Sequence, residues 1–185
     1  MNPPALLLID IQNALTETGF YGTERNNPDA EEHAGELLSF FRTKGWPIYH
    51  VRHDSTNPES PLVPGKPGHE INAHVAPNEG EPVFSKTVNS GFIGTALEAT
   101  LKAAGITQLV IAGLTTEHCI STTTRMAANL GFENILVSDA TAAFDKTDPN
   151  GKHYPASLVH EISLATLRDE FAEVLDTQLV LERLA

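Results

Sequence analysis

Three residues that lie far apart in the chain, Asp10, Lys86 and Cys119, could together carry out nucleophilic chemistry. Cys119 is the single cysteine. With Thr116 as N-cap of a predicted helix, Cys119 would occupy the third helical position, where the positive helix end lowers the pKa of a thiol. Asp10 directly follows an apolar run and could act as general base, with a pKa raised in a partly dry pocket. Lys86 could pair with Asp10 and orient it.

Each of these residues also has an ordinary structural explanation. A lone cysteine is commonly an inert buried thiol, an aspartate after a strand commonly caps a turn, and a lysine is commonly solvated. The chemical interpretation therefore depends on whether the folded chain brings the three side chains to one place.

The elements that must position them alternate between strands and helices. We predict strands at residues 5–9, 48–52, 82–85, 108–113, 134–139 and about 171–175. We predict helices at about 29–44, 94–104, 116–130 and 156–170, with a last turn or tail to 185. This alternation predicts an α/β fold, a three-layer αβα sandwich around a mainly parallel, Rossmann-like sheet of about six strands. Ligands of such sheets bind beyond the carboxyl ends of the strands, where the three side chains would lie.

The length of 185 residues predicts a single domain spanning residues 1–185. One segment, at about 54–82, differs in composition because it holds six of the 12 prolines. A loop of this length is often a lid or a binding loop, and its mixed composition favours an ordered excursion. The polar loop 145–154 follows the fifth strand and could close over the site.

Composition excludes several classes of function. Twelve Lys and Arg against 24 Asp and Glu give a net charge of −12, so neither nucleic acid nor an anionic membrane is an expected partner. No apolar run is long enough to span a membrane, and no basic region that would indicate a signal peptide precedes the first strand. One cysteine permits no internal disulfide. We therefore predict a cytoplasmic protein.

Several stretches resemble the isochorismatase-like cysteine hydrolases, a superfamily that includes nicotinamidases, N-carbamoylsarcosine amidohydrolase and streptothricin hydrolases. The resemblance covers nearly the whole chain, and the order and spacing of the stretches make it specific. The matching stretches are residues 8–13 (LIDIQN), 85–92 (SKTVNSGF), 112–119 (AGLTTEHC), 124–132 (TRMAANLGF) and 138–140 (SDA).

The resemblance implies a catalytic triad of Asp10, Lys86 and Cys119. It also implies a non-proline cis peptide between Leu114 and Thr115, and an oxyanion hole formed by the backbone N–H groups of Thr115 and Cys119. The implied function is cysteine-dependent hydrolysis of a C–N bond in a small amide, lactam or ureido compound, through a thioester. A homo-oligomer, either a dimer or a tetramer, is also expected.

The sequence departs from the superfamily pattern in one respect. Nicotinamidases carry an Asp-x-His-Pro stretch and a later histidine that hold a metal, and residues 52–57 (RHDSTN) lack that stretch. We therefore expect no metal and no other cofactor. Isochorismatases of the superfamily cleave a vinyl ether without a nucleophilic cysteine, so the presence of Cys119 favours C–N hydrolysis. Ether hydrolysis is one alternative, and a thiol redox sensor or binding module without turnover is another.

Further residues could contact the substrate because they lie near the predicted strand ends or near the nucleophile. Aromatic residues could form an apolar wall, and basic residues at the end of the second strand could bind a carboxylate. The candidates are Gln12, Phe20, Arg52, His53, Phe92, Glu117 and His118.

Overall fold

A computed structural model describes residues 2–185. Its strands are β1 (Ala5–Ile9), β2 (Ile48–His53), β3 (Val83–Lys86), β4 (Gln108–Leu114), β5 (Glu133–Ala142), β6 (Lys146–Thr147), β7 (His153–Tyr154) and β8 (Glu173–Leu175). Its α-helices are α1 (Ala30–Lys44), α2 (Leu97–Ala103), α3 (Ser121–Asn129), α4 (Ala156–Leu167) and α5 (Thr177–Leu184). Short 3₁₀ turns cover Asn13–Leu15, Pro67–His69 and Ala73–Val75, and a π-helical turn covers Thr116–Ile120.

Six strands form one parallel sheet in the order β3-β2-β1-β4-β5-β8. Strands β6 and β7 form a separate antiparallel hairpin. Parallel neighbours need crossover connections, which the helices and the segment between β2 and β3 supply. The predicted α/β fold with a mainly parallel sheet of about six strands is confirmed.

The central strands are apolar along their whole length because helices cover both faces of the sheet. Alternate residues of β1 point to opposite faces. Leu7 and Ile9 pack in a core with residues of α2, α3 and α4. Leu6 and Leu8 pack in a second core with residues of α1 and α5. The layers are thus helix, sheet and helix, as predicted.

Apart from the turn around Cys119, two parts of the secondary structure differ from the prediction. The predicted turn or tail after β8 is the helix α5. The Asp176 carboxylate caps its first turn by accepting from the Leu179 N–H at 2.8 Å, and Val180 is buried in the core. The polar loop 145–154 contains the β6–β7 hairpin. Among the helices of residues 2–185, none is long and apolar enough to cross a membrane.

The proline-rich segment between β2 and β3 contains no strand but is tied down by hydrogen bonds. The Gln12 side chain donates to the carbonyls of His53 and His69 at 3.1 and 2.8 Å and accepts from the His53 N–H. Leu62 and Val75 are buried. The segment therefore packs against the carboxyl edge of the sheet as an ordered excursion.

Candidate active site

The strand register brings the predicted residues to one edge of the sheet. Ile9, the last residue of β1, pairs with Val51 on one side and with Gly113 on the other. On the next strand pair, His53 is opposite Lys86. The residues that follow or end these strands therefore converge, and they include Asp10 after β1.

The Lys86 ammonium lies at the centre of the cluster. It donates to Asp10 Oδ2 at 2.6 Å and to Cys119 Sγ at 3.3 Å, and it lies 3.2 Å from His53 Nδ1. The side chains of Lys86 and Asp10 are 0% and 1% exposed, so their ion pair is fully buried. The structure thus brings together the carboxylate, the ammonium and the thiol predicted from the sequence, and it places His53, a predicted substrate contact, beside the ammonium.

Asp10 leaves β1 in the left-handed region, with φ of 52°, which aspartate tolerates better than most residues. Its Oδ2 is taken by Lys86, whereas Oδ1 is buried and has no hydrogen-bond partner among residues 2–185. Burial raises the pKa of the Asp10 carboxyl, and the neighbouring Lys86 opposes that rise. A raised pKa makes this carboxylate a better proton acceptor, as predicted.

The chain around Cys119 differs from the predicted helix start. Thr116 does not cap the helix; it is the first residue of the π-helical turn, and Cys119 is the fourth. Burial raises the pKa of the Cys119 thiol, the nearby Asp10 raises it further, and Lys86 only partly opposes this. The prediction of a lowered thiol pKa is therefore wrong, because the cost of placing a thiolate in a buried site exceeds the benefit of a short helical turn.

Thr116 is held by long-range contacts that a local pattern does not reveal. Its hydroxyl lies 2.9 Å from His160 Nδ1 and 3.1 Å from the Thr141 hydroxyl, and all three residues are buried. This network connects the turn that carries Cys119 to α4 and β5.

The backbone before Cys119 has two unusual features. The peptide bond between Leu114 and Thr115 is cis, as the family resemblance implied. The Thr115 carbonyl then accepts from the N–H groups of His118 and Ile120, at 3.1 and 3.2 Å, and skips the N–H of Cys119 between them.

A cavity of about 330 Å³ opens onto this cluster, and Asp10, His53 and Cys119 lie in its wall. Its size is at the lower end of the range for small-molecule sites. Apolar residues form one part of the wall, and polar residues form the rest. The other lining residues are Leu15, Phe20, Tyr21, Ser55, Asn57, Ser60, Leu62, Asn89, Leu114, Thr115, Glu117, His118, Phe144 and Lys146.

Four of the seven substrate-contact candidates line this cavity: Phe20, His53, Glu117 and His118. The other three do not, and each has a structural role instead. Gln12 is fully buried, and its side-chain amide donates to the carbonyls of residues 53 and 69, as described above. Arg52 donates to the Ser85 hydroxyl at 2.8 Å. Phe92 stacks on Phe132 inside the core.

The cavity lining that comes from the excursion after β2 was not among the predicted site residues. This excursion contributes Ser55, Asn57, Ser60 and Leu62. Its proline content indicated a binding loop but not which residues point inward. Lys146 lies in the loop 145–154 that was expected to close over the site, although it was not singled out as a substrate contact.

Asp10, His53 and Cys119 are also the one group of potential metal ligands found among residues 2–185, with ligand atoms within 4.8 Å of one another. The Lys86 ammonium lies between 2.6 and 3.3 Å from an atom of each residue and so fills the space that an ion would need. This donor set does not fit a metal ion unless Lys86 moves away.

A buried carboxylate, a buried ammonium and a half-buried thiol beside a cavity, at the carboxyl edge of a parallel sheet, define an α/β protein with a cysteine-centred site. The family model described as Isochorismatase domain matches residues 4–178. The chain therefore belongs to the isochorismatase family of hydrolases.

Known proteins agree with this membership. The uncharacterized isochorismatase family protein YrdC of Bacillus subtilis is 49% identical over 94% of this chain and 91% of its own length. A Chromobacterium violaceum protein assigned to the isochorismatase family of hydrolases has a crystal structure that matches with a TM-score of 0.93 and 45% identity, over 98% of this chain and 93% of that one.

Two further relatives have named activities. Streptothricin hydrolase of Streptomyces noursei is 35% identical over 76% of this chain and 50% of its own length. Maleamate amidohydrolase of Pseudomonas putida is 28% identical over 98% of this chain and 86% of its own length.

Proposed function

We propose that this protein is a cysteine hydrolase that cleaves a C–N bond of a small amide, lactam or ureido compound through a thioester on Cys119. The observation that carries the proposal is the single ammonium of Lys86 in contact with both Asp10 and Cys119 beside the cavity. Relatives named as amidohydrolases support the bond type.

In the first half-reaction, Asp10 takes the proton of Cys119 as the sulfur attacks the carbonyl carbon. The free Oδ1 of Asp10 is available for that proton, and the Lys86 ammonium stabilises the negative charge on either group. Because burial raises the pKa of both the thiol and the carboxyl, neither group alone favours the charged form. Transfer between them keeps one negative charge beside one ammonium throughout.

The tetrahedral intermediate would place its oxyanion on the N–H groups of Thr115 and Cys119. The π-helical turn leaves the Cys119 N–H out of the bonds that the Thr115 carbonyl accepts. One such donor typically contributes about 3 kcal/mol of barrier lowering. Protonated Asp10 then donates to the leaving nitrogen as the C–N bond breaks, which leaves a thioester on Cys119. An amide or ureido compound releases ammonia or an amine at this step, whereas a lactam opens and keeps its amine on the acyl group.

In the second half-reaction, Asp10 accepts a proton from water as that water attacks the thioester. The carboxylic acid product leaves, and the proton returns to the sulfur. Asp10 thus acts as base, then acid, then base, and nothing is oxidised or reduced.

His53 supports this arrangement by accepting from the ammonium through Nδ1 at 3.2 Å. Burial, together with the Lys86 charge, lowers the pKa of the His53 imidazole, which keeps it neutral and able to accept. His53 would therefore be a positioning residue for Lys86 that also forms part of the cavity wall.

The test compares the wild-type protein with Cys119→Ser on a panel of small compounds, in which ammonia release is measured for primary amides and ureido compounds and ring opening is measured by mass spectrometry for lactams. We expect release by the wild type, near-complete loss in the variant, and an acyl adduct on Cys119 in mass spectra of the quenched reaction. Release that persists in Cys119→Ser would contradict the proposal.

A redox sensor is the competing function for this cysteine. Sensor cysteines are accessible and have a low thiol pKa, whereas burial raises the pKa of this thiol. Reversible oxidation of Cys119 by peroxide, with no turnover of any compound in the panel, would favour the sensor.

We further propose a cytoplasmic homo-oligomer, either a dimer or a tetramer, that acts on small molecules. The exposed face of α4 carries Leu158 and Ile162, which are 38% and 54% exposed and suit a subunit contact. Light scattering coupled to size-exclusion chromatography measures the subunit number, and a monomer would contradict this part of the proposal.

A further inference from the structure

The cavity wall contains a second carboxylate that the proposed chemistry does not use. Glu117 lies two residues before Cys119, and its side chain is 10% exposed. Both of its oxygens are buried, and neither has a hydrogen-bond partner among residues 2–185. An ionised carboxylate accepts at about four lone-pair sites, so most of the acceptor sites of this group are open.

One cation lies beside this carboxylate without completing its coordination. Lys146 Nζ is 2.9 Å from Glu117 Oε1, in a geometry that does not make a hydrogen bond. The Lys146 side chain is 35% exposed, whereas Glu117 is deeper. His118 Nδ1 is 3.6 Å from the same oxygen and belongs to a largely exposed side chain.

The residue before Lys146 is held in place by hydrogen bonds. The neighbouring Asp145 carboxylate accepts from the Thr23 N–H and hydroxyl and from the Glu24 N–H, at distances from 2.6 to 3.0 Å. These bonds fix the start of the β6–β7 hairpin. The Glu117–Lys146 pair is therefore part of a built wall and not a chance surface contact.

A substrate that enters this cavity meets the Glu117 side chain in its wall. A ligand that offers N–H donors can fill the open acceptor sites of the carboxylate, whereas an apolar group leaves them unfilled and an anionic group brings a like charge close to them. Lys146 is already neutralised by Glu117 and is more exposed, so it is the weaker recognition element for an anion.

Resting on the proposed function, we propose that Glu117 determines substrate specificity by accepting hydrogen bonds from an ammonium or amide N–H group of the substrate, away from the bond that is cleaved. The substrate class is a small amide with a short apolar stem that ends in such a donor. The stem would contact the apolar wall formed by Leu15, Leu62, Leu114 and Phe144.

The test compares amides of matched length: 4-aminobutanamide, which is cationic, pentanamide, which is neutral, and succinamate, which is anionic. We expect wild-type kcat/KM to be about tenfold to a hundredfold higher for 4-aminobutanamide than for pentanamide, the range for a hydrogen bond to a charged group. In Glu117→Gln this ratio should fall to near one. Lys146→Met is the opposite perturbation: it removes the cation that competes for Glu117, so it should keep the preference for 4-aminobutanamide or increase it.

Two results would overturn the inference. One is a wild-type preference for succinamate that Lys146→Met abolishes, because Lys146 would then be the recognition residue. The other is an unchanged 4-aminobutanamide to pentanamide ratio in Glu117→Gln with both rates reduced in parallel, because Glu117 would then only support the turn.

Binding measurements separate this inference from the proposed hydrolysis. Calorimetric titration of Cys119→Ser with 4-aminobutanamide and with pentanamide needs no turnover. A cation preference that disappears in Cys119→Ser Glu117→Gln would support the inference even if no amide were hydrolysed. Equal affinities for both compounds in Cys119→Ser would refute it.

Discussion

Replacing Lys86 with methionine should destabilise the protein in a way that depends on pH. The substitution keeps most of the apolar stem but removes the ammonium that bonds to Asp10 Oδ2 at 2.6 Å. Both side chains are buried, so removal of one partner leaves an unpaired buried carboxylate, at a cost of about 3–5 kcal/mol while Asp10 stays ionised.

The sign of the pH dependence follows from the raised pKa of Asp10. When the folded-state pKa of an acid lies above its unfolded value of about 3.9, the folded state binds more protons between the two values, so stability falls as pH rises through that window. Lys86 opposes the rise, and its removal should therefore raise the folded-state pKa further. The loss in Lys86→Met should consequently be largest at pH 8 and clearly smaller at pH 5, with a slope of at most about 1.4 kcal/mol per pH unit for one proton.

Urea unfolding followed by the fluorescence of Trp46, the single tryptophan, measures this loss at both pH values. Lys102→Met is a matched control, because Lys102 forms an exposed pair with Glu98 and should cost less than about 1 kcal/mol. The double variant Lys86→Met Asp10→Asn removes the unpaired charge and should lose the pH dependence. Equal losses at pH 5 and pH 8, or a loss no larger than that of Lys102→Met, would refute the reasoning.

Two further predictions follow from the same region. Iodoacetamide should alkylate Cys119 slowly at pH 7, because burial raises the thiol pKa. The alkylation rate should rise about tenfold per pH unit without a plateau below pH 8, whereas a plateau below pH 7 would show a low-pKa thiolate. Gly113→Ala should lower the unfolding free energy by more than about 3 kcal/mol, because φ is 139° and a Cβ would overlap the Ile9 carbonyl. The control is Gly131→Ala, which has a positive φ but open space around the new Cβ and should cost only about 1–2 kcal/mol. Urea titration measures both losses, and equal losses would count against the clash.

The parallel sheet was predictable because its signal is local and repeated. Runs such as 5–9 and 108–113 are apolar at successive positions, so both faces of the strand must be covered. Helices on the two sides of the sheet provide that cover. Once the strands are parallel, a residue that ends a strand must lie at the common carboxyl edge. This made the meeting of Asp10, Lys86 and Cys119 predictable without any knowledge of side-chain conformation.

The protonation behaviour of the site was not predictable by the same route. A helix start favours a thiolate when the thiol is partly exposed, and sequence reasoning used that rule for Cys119. The structure places the half-buried sulfur beside the Asp10 carboxylate, and desolvation and that negative charge both raise the thiol pKa. Cys119 packs against a core built from distant parts of the chain, which no pattern around residue 119 encodes.

The shape of the turn before Cys119 was also beyond local reasoning. A threonine after a strand predicts an N-cap, but the Thr116 hydroxyl contacts His160 and Thr141 instead. These partners are 44 and 25 residues away in the chain, so their contact exists only after α4 and β5 have packed.

The same limit explains why Glu117 was hard to interpret from sequence alone. An acidic residue in a first helical turn usually compensates the helix dipole, and that role needs a solvated side chain near the helix end. Here the carboxylate is buried in the cavity wall and both oxygens lack hydrogen bonds among residues 2–185, which dipole compensation does not require. Lys146 compensates the charge of Glu117, but the remaining acceptor sites of the carboxylate are open. Buried acceptors without partners are costly, and this arrangement is the reason for the recognition role proposed above.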